Sequence, residues 1–340
     1  MRTRQTTLLG AIVILTTLLL PASANAQLFR AYLASDGNDG NPCTLQLPCR
    51  LLPAALTAVM SGGEIWMLDS ANYNTAQVNI TKSVTILAVP GALGSVVAAG
   101  GNAIDIGTVG AQVALRNLVI VPLAGGGGTG GVNMTAGTSL TVENCLLANL
   151  PGNGINVTAN FATVRITDSI VRGSNGEAVN LGGGAKATIT RATIVDNGGR
   201  GVHITTAVPS TTTEAYILNS TISGNFHGVV AFSGHATAHV KMSVKDSMVA
   251  RNNNQGMISQ GNGATVLLSV SNSAIAGNAG AGIAANAGGL VWASGNTISD
   301  NGSFGLNANG GTIETAGNNS VRNNASGDTG GAAITAWPQK

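Results

Sequence analysis

The feature that most constrains this chain of 340 residues is a repeat in which an aliphatic residue returns every 23 to 28 positions. In one repeat, Val164–Val171, apolar residues alternate with polar ones and a Ser stands two places before the last Val, and Leu268–Ile275 follows the same pattern. The recurring aliphatic residues, called anchors here, are Ile120, Leu147, Val171, Ile194, Ile222, Val249, Ile275, Ile298 and Val321. A unit of this length cannot bury a core alone, so consecutive units must stack.

The pattern inside each unit indicates short β-strands. Apolar residues alternate with period two, which is typical of strands, and Asn-Gly, Gly-Gly or Ser-Gly pairs mark turns. A unit holds two or three strands, and stacked units place them about 4.8 Å apart. A β-propeller would need blades of about 40 residues, and a leucine-rich horseshoe would need a Leu-x-x-Leu-x-Leu signature that the chain lacks. The sequence therefore predicts an all-β fold, a parallel β-helix (solenoid) of about 9–10 coils.

Two further columns of residues follow the anchors. Asparagine stands three residues after six anchors, at Asn197, Asn225, Asn252, Asn278, Asn301 and Asn324. Glycine follows at Gly201, Gly228, Gly256, Gly282 and Gly305. We interpret both columns as structural, because asparagine tolerates left-handed turns and stacked amides can hydrogen-bond along a rod. An amide ladder that binds sugar is the functional alternative.

Composition excludes several other classes. The chain has 48 glycines, nine prolines and 9% charged residues, yet 44% of its residues are hydrophobic. That share is too high for a disordered chain, and glycine lacks the period of three found in collagen. Strong helix formers are too scarce for a helical bundle.

The first 26 residues read as a secretory signal peptide. Arg2 and Arg4 precede an apolar run that is too short for a membrane anchor, and Ala24 to Ala26 resembles a cleavage site. Without Arg2 and Arg4, basic and acidic side chains balance at 14 each. We therefore expect an exported protein that does not bind nucleic acid. Cys43 and Cys49 favour a disulfide in that setting, with two free thiols as the alternative.

The repeats resemble those of right-handed parallel β-helix proteins of the pectate-lyase-like superfamily. The front of the chain is similar too, in the segments 35–44, 48–50, 52–59 and 62–65. Leu52, Ala55, Leu56 and Val59 would lie on one face of a short helix that covers the first coil, with Pro53 in its first turn. We therefore predict a cap over residues 27–70, a β-helix over 71–325 and a C-terminal tail or cap over 326–340, in which Ala332 to Trp337 cover the other end.

The most distinctive candidate site is a column of outward polar residues on one strand of each coil. Its members are Asp105, Asn133, Asn156, Asn180 and His203. Amides and carboxylates at the coil spacing would suit several sugar rings, and in the resembling enzymes the substrate groove runs along an exterior strand face. A solvated polar sheet face is the alternative. If the protein is an enzyme, Asp105 is the candidate acid or metal ligand and His203 the candidate base, while the three asparagines orient sugar hydroxyls.

Three weaker candidates complete the set. Tyr216 and Trp292 share another outward column and could stack on sugars. His235 and His239 have the even spacing that would place both on one side of a strand, where they could contribute to a metal site. A loop with Asp36, Asn38, Asp39 and Asn41 resembles a calcium loop, but Leu47 stands where an EF-hand has its bidentate Glu. We therefore expect no cofactor, with calcium as the alternative.

Three functions remain open. The first is binding of a polysaccharide or surface glycan without catalysis, because acids are few and scattered. The second, which the resemblance implies, is a polysaccharide lyase or glycoside hydrolase acting on acidic polysaccharide. The third is a structural or self-associating surface protein, which suits the near-zero charge.

Overall fold

A computed structural model describes residues 27–206 and 208–337. The predicted signal peptide, residues 1–26, lies outside the described residues. The described part of the chain forms a parallel β-solenoid of about ten turns, with one short helix. Each full coil contributes one strand to each of three parallel sheets, named A, B and C here. The strands are numbered along the chain.

Sheet A runs the whole length of the solenoid and has 13 strands. They are β1 (Leu28–Leu33), β2 (Val59–Met67), β5 (Val84–Ala88), β8 (Gln112–Arg116), β11 (Ser139–Glu143), β14 (Thr163–Thr167), β17 (Lys186–Thr190), β20 (Thr212–Leu218), β23 (His239–Lys245), β26 (Val266–Ser271), β29 (Gly289–Ser294), β32 (Thr312–Thr315) and β35 (Thr335–Ala336).

Sheet B follows sheet A in each coil and has 11 short strands. They are β3 (Ala71–Asn72), β6 (Gly94–Ala98), β9 (Leu118–Pro122), β12 (Leu146–Ala148), β15 (Ile170–Arg172), β18 (Thr193–Val195), β21 (Thr221–Ser223), β24 (Met248–Ala250), β27 (Ala274–Ala276), β30 (Thr297–Ser299) and β33 (Ser320–Arg322).

Sheet C completes the coil and also has 11 strands. They are β4 (Val78–Ile80), β7 (Asn102–Ile106), β10 (Gly130–Met134), β13 (Ile155–Val157), β16 (Val179–Leu181), β19 (Arg200–Thr206), β22 (His227–Ser233), β25 (Met257–Gly261), β28 (Ile283–Asn286), β31 (Phe304–Asn309) and β34 (Gly327–Gly331).

The anchors form one continuous row along sheet B, as the repeat predicts. Leu147 pairs with Ile120 on one side and Val171 on the other, and the pairing continues anchor to anchor as far as Val321. The anchors from Ile120 to Ile298 are fully buried. Burying each such side chain contributes about 1.5–3 kcal/mol, so the stack of inward aliphatic residues is the main source of stability.

The core asparagine ladder, the column from Asn197 to Asn324, is structural as we expected. Its six side chains are buried. The Nδ2 of Asn225 donates to the Oδ1 of Asn252 at 3.2 Å, and the backbone N–H of Asn225 donates to the same oxygen at 3.0 Å. The glycine column lies against this ladder, since a Cβ on Gly201 would come within 2.9 Å of the Asn225 Nδ2.

The expected left-handed backbone occurs in other columns. Positive φ angles are found two residues after an anchor, as at Asp196 (57°), and three residues before an anchor, as at Asn219 (50°). Asn197 and Asn225 are not among the residues with positive φ. The left-handed turns and the amide ladder therefore use different residues. Asp196 has the positive φ, and the next residue, Asn197, carries the side chain that bonds to Asn225 in the next coil.

The helix α1 (Leu52–Ala58) lies against β1, β2 and β4, the first strands of sheets A and C. Leu52, Ala55 and Leu56 are buried, and a proline stands in its first turn. Val59 is buried as well, but it begins β2 and lies outside the helix. The disulfide between Cys43 and Cys49 is present in the loop before α1.

The opposite end of the described chain continues the ladders. Residues 326–337 contain β34, which pairs with β31, and β35, which pairs with β32. The segment that we predicted as a cap, Ala332 to Trp337, thus includes an exposed sheet A strand.

Candidate functional site

The predicted polar column lies on sheet C in the expected register. Asp105 pairs with Asn133, Asn133 with Asn156, Asn156 with Asn180, and Asn180 with His203. All five side chains are half-buried on the outer face of the sheet. We call these five residues the sheet C ladder.

Hydrogen bonds join most of the sheet C ladder. The Nδ2 of Asn133 donates to Asp105 Oδ1 at 2.7 Å, that of Asn156 to Asn133 Oδ1 at 2.8 Å, and that of Asn180 to Asn156 Oδ1 at 2.8 Å. The Oδ1 of Asn180 is buried and has no hydrogen-bond partner in the described residues. The hydrogen-bonded part of the ladder therefore starts at the Asp105 carboxylate and ends at the unpaired Oδ1 of Asn180, next to His203.

The candidate pairing of Asp105 as acid with His203 as base is wrong. Four strand steps separate the two residues, a distance of about 19 Å. Two groups that far apart cannot exchange protons with the same bond of a substrate.

A groove opens where the ladder ends. It has a volume of about 460 Å³. Val230 and Ile258, which continue the column after His203, form its floor and are almost fully buried although they point outward. His203 also lines the groove. The residues of the two walls are Arg200, His227, Asn254 and Gln255 on one side and Thr205, Phe232, Gln260 and Asn286 on the other.

One wall of the groove carries an ion pair. Arg200 Nη1 lies 2.7 Å from the Oε1 of Glu177, a residue of the preceding coil. The same Oε1 lies 3.7 Å from His203 Nδ1, which is too long for a hydrogen bond. The Nδ1 atoms of His203 and His227 are buried and have no hydrogen-bond partner in the part of the chain that the structure describes.

Both imidazoles are held in the neutral form. Burial first, and then the charge of Arg200, lowers the pKa of His203 to about 4, although Glu177 opposes this shift. Burial and Arg200 also lower the pKa of His227, while Gln255 opposes the shift. At neutral pH each ring therefore offers one donor and one acceptor.

The two candidate aromatic residues lie on a different face. Tyr216 and Trp292 share an outward column of sheet A, with Ser243 and Ser269 between them. Tyr216 is 51% exposed and Trp292 40%. They are therefore not part of the sheet C groove.

The candidate metal ligands do not come together. His239 begins β23, but His235 lies in the preceding turn, where its Nδ1 accepts a hydrogen bond from the Thr237 N–H at 3.2 Å. The expectation that both histidines share a strand face is therefore wrong. In the described residues, no group of three or more His, Cys, Asp or Glu side chains is arranged to hold a metal ion.

The loop with calcium-like spacing uses its polar side chains internally. Asp39 Oδ1 accepts the backbone N–H groups of Arg50 at 2.9 Å and Leu51 at 2.8 Å, just before α1 begins. Asn38 Oδ1 accepts the Gly40 N–H at 2.8 Å, and Asn41 Nδ2 donates to the Pro48 carbonyl. These bonds give Asn38, Asp39 and Asn41 structural roles in the loop, and calcium binding here stays a prediction.

Comparison with known families agrees with this architecture. The family model described as right handed beta helix region matches residues 67–222 and 104–267, which together cover more than half of the chain. The chain belongs to the right-handed β-helix family. A comparison with curated proteins found no match.

Several solved structures have a similar backbone. The crystal structure of pectate lyase Pel9A gives a TM-score of 0.56 at 14% identity, over 92% of this chain and 78% of that one. The A-module of the Azotobacter vinelandii mannuronan C-5 epimerase AlgE6 gives 0.55 at 14% identity, over 82% and 91%. XylC in complex with xylose gives 0.58 at 8% identity, over 80% and 69%. At these identities the likeness shows a shared fold.

Sequence reasoning missed the groove of this right-handed β-helix. Glu177 lies just before β16 and Arg200 begins β19, outside the in-out-in triplets that defined the column. The signal in the sequence is a pair of oppositely charged residues, Glu177 and Arg200, which are 23 positions apart, close to the repeat length. His227, 27 places after Arg200, pairs with it in the next coil.

Proposed function

We propose that the protein binds a polysaccharide along the outer face of sheet C, without reacting with it. The observation that carries this proposal is the sheet C ladder, a continuous row of polar side chains that leads into a groove. Its members repeat at about 4.8 Å, so a linear polymer laid along the row meets several equivalent contacts.

The ladder amides retain capacity for a ligand. An asparagine side chain has two N–H donors and an oxygen with two lone pairs. Within the ladder, Asn156 donates one N–H to Asn133 and accepts one from Asn180. One donor and one lone pair remain on Asn156 for sugar hydroxyls, and the neighbouring bonds hold the amide in a fixed orientation.

Two further observations support the proposal. The similar structures named above include a pectate lyase, a mannuronan epimerase and a protein bound to xylose, all of which concern carbohydrates by name. The Cys43–Cys49 disulfide is typical of proteins outside the reducing cytosol. A protein exported through a signal peptide would meet polysaccharides in the periplasm, at the cell surface or outside the cell. No helix of the described chain is long and apolar enough to cross a membrane.

The proposal is tested by affinity electrophoresis of the protein in gels that contain different polysaccharides. We expect retardation by at least one polymer, and Asn156→Leu should weaken that binding by about tenfold, because a ladder contact to hydroxyls is lost. Thr163→Leu, at an exposed outward position of sheet A outside the column of Tyr216 and Trp292, is the matched control and should bind as the parent does. The proposal fails if no polymer retards the protein or if Asn156→Leu binds normally.

A second candidate function is carbohydrate-active catalysis of the lyase or hydrolase type. The observation that favours it is the Glu177 carboxylate beside the neutral imidazole of His203, since a neutral imidazole can accept a proton. No Asp or Glu is among the described residues that line the groove, whereas glycoside hydrolysis generally uses two carboxyl groups. Prolonged incubation with each bound polymer decides the matter: new reducing ends or unsaturated uronate products would establish turnover, and unchanged polymer length would exclude it for that polymer.

A further inference from the structure

We propose that the groove is a subsite for an uncharged sugar unit, so that the polysaccharide bound by sheet C is a neutral one. This inference rests on the proposed function and specifies its ligand class. It is carried by the shape of the groove and by the pairing of the charges that line it.

The groove combines an apolar floor with polar walls. Val230 and Ile258 present aliphatic surface at the bottom. His227 and Gln255 stand on one wall and Gln260 on the other. A sugar ring has a matching distribution, because its C–H face is apolar and its hydroxyl groups point outward from the rim.

The charges around the groove cancel. Arg200 is the one Lys or Arg among the described residues that line it. Its guanidinium is 2.7 Å from the Glu177 carboxylate. An incoming carboxylate would therefore find a cation that is already neutralised, with a negative charge directly behind it.

The remaining polar groups suit hydroxyls. His203 and His227 line the groove, and burial lowers the pKa of both rings, so each ring is neutral at neutral pH and has one donor nitrogen and one acceptor nitrogen. Such a ring nitrogen can accept an O–H or donate an N–H. On the opposite wall, Asn286 Nδ2 donates to Gln260 Oε1 at 3.3 Å and Asn286 Oδ1 accepts from Asn309 Nδ2 at 3.3 Å, so the N–H groups of the Gln260 amide remain as donors for a ligand. Each of these groups can exchange hydrogen bonds with a hydroxyl that has no net charge.

An acidic sugar in the same place would be unfavourable. Its carboxylate would lose water against the apolar floor without gaining a free cation, and a buried unpaired charge is costly. It would also be repelled by Glu177, since charges a few ångströms apart interact strongly where water is partly excluded. The groove therefore favours neutral sugars over uronates, because it offers the uronate carboxylate no free cation.

Matched polymers test this inference. β-1,4-Galactan, β-1,4-mannan and cellulose oligomers are each compared with the same polymer oxidised at C6, which converts a primary hydroxyl to a carboxylate and keeps the backbone. Binding of the full-length protein at pH 7 is measured by affinity electrophoresis and calorimetry. We expect the unoxidised polymer of the bound pair to bind at least about tenfold more tightly.

Freeing the cation should reduce this preference. Glu177→Gln leaves Arg200 without its carboxylate, so we expect the affinity for the oxidised polymer to rise by about tenfold while that for the neutral polymer stays within about twofold. Asp168→Asn is the matched control, because Asp168 pairs with Arg191 at 2.6 Å at an exposed position away from the groove. That variant should leave both affinities unchanged.

The outcomes separate the two proposals. Equal or tighter binding of an oxidised polymer by the parent protein would overturn the neutral ligand and leave polysaccharide binding standing. An unchanged preference in folded Glu177→Gln would also overturn it, and circular dichroism establishes that this variant is folded. The comparison of polymers on the parent protein does not depend on any variant. Both proposals fail if no polymer of either kind binds, or if Asn156→Leu binds with the same affinity as the parent protein.

Discussion

At the scale of single residues, asparagine performs two tasks that depend on the sheet next to it. Asn225 follows an anchor of sheet B and is buried, so its amide must be satisfied by neighbouring coils. Asn156 points outward from sheet C and keeps part of its amide free. The same amide chemistry thus stabilises the solenoid in one column and offers a ligand surface in the other.

Asn225→Ala should destabilise the protein by about 3 kcal/mol, because it removes bonds to Asn252 and Asn197 and leaves buried partners unsatisfied. Chemical unfolding followed by circular dichroism measures this loss. Asn262→Ala, in an exposed turn, is the control and should cost less than about 0.5 kcal/mol. Equal losses of stability in the two variants would show that the core asparagine ladder does not stabilise the protein.

His203 should make stability depend on pH. Its pKa is lowered from 6.5 to about 4 in the folded protein, so the unfolded chain binds the extra proton first. The contribution of His203 to stability is therefore constant above pH 6.5 and falls by up to about 3 kcal/mol between pH 6.5 and 4. Denaturant midpoints measured across this range test the slope.

His203→Asn is the informative variant for that slope. It removes the titrating ring, and the new amide can donate to the unpaired Asn180 Oδ1. We expect a shallower decline, with the remainder due to His227. His239→Asn, at an exposed position that begins β23, should keep the parent slope. A parent-like slope in His203→Asn would show that another group is responsible.

At the scale of strands and sheets, the sequence predicts which residues pair between strands better than it predicts how deeply an outward side chain is buried. Period two and the anchor spacing were sufficient to place Asn156 beside Asn180 on one outer face. The groove depends on how far two side chains rise above Val230: that of Phe232, in the same strand, and that of Gln255, in the next coil. Alternation tells that Val230 points outward, but not that neighbours cover it.

The same limit explains the corrections at the turns. His235 and His239 have strand-like spacing, yet residues 234–238 form the turn between sheets C and A, so only His239 lies in a strand. Likewise the repeat marks an asparagine column without showing which position has positive φ. Spacing along the chain gives position within a coil only where a coil has constant length, and coil length here varies from 23 to 28 residues.

The cap is an element whose stability can be tested separately. Replacing Cys43 and Cys49 together by Ser should lower stability by about 2 kcal/mol, because a short closed loop beside α1 opens in the unfolded state. Thermal unfolding under oxidising conditions measures the loss. Cys145→Ser is the control: Cys145 is a buried free thiol in a column that also holds Ser169 and Ser220, so this change should be nearly neutral. A loss in the control equal to that in the double variant would contradict a role of the disulfide.

At the scale of the whole molecule, each coil is held by the coils before and after it. Sheets A, B and C run through the described chain without interruption, so stability is a sum of similar nearest-neighbour terms. Coils in the middle have two neighbours, whereas in the described residues β33 and β34 are each paired on one side. Protection of backbone amides should therefore fall from the centre toward that end.

Two matched core truncations test this gradient. Ile222→Ala, in the middle of the anchor row, should cost about 3 kcal/mol and raise hydrogen exchange in β18 and β24 as well as in its own strand, because both neighbours lose contact with it. Val321→Ala, at the end of the row, should cost about 1 kcal/mol, since Val321 is already half-exposed. Its effect should stay within β30 and β33. If both truncations raised exchange uniformly over all coils, the solenoid would unfold as one cooperative unit, and the nearest-neighbour description would not apply to it.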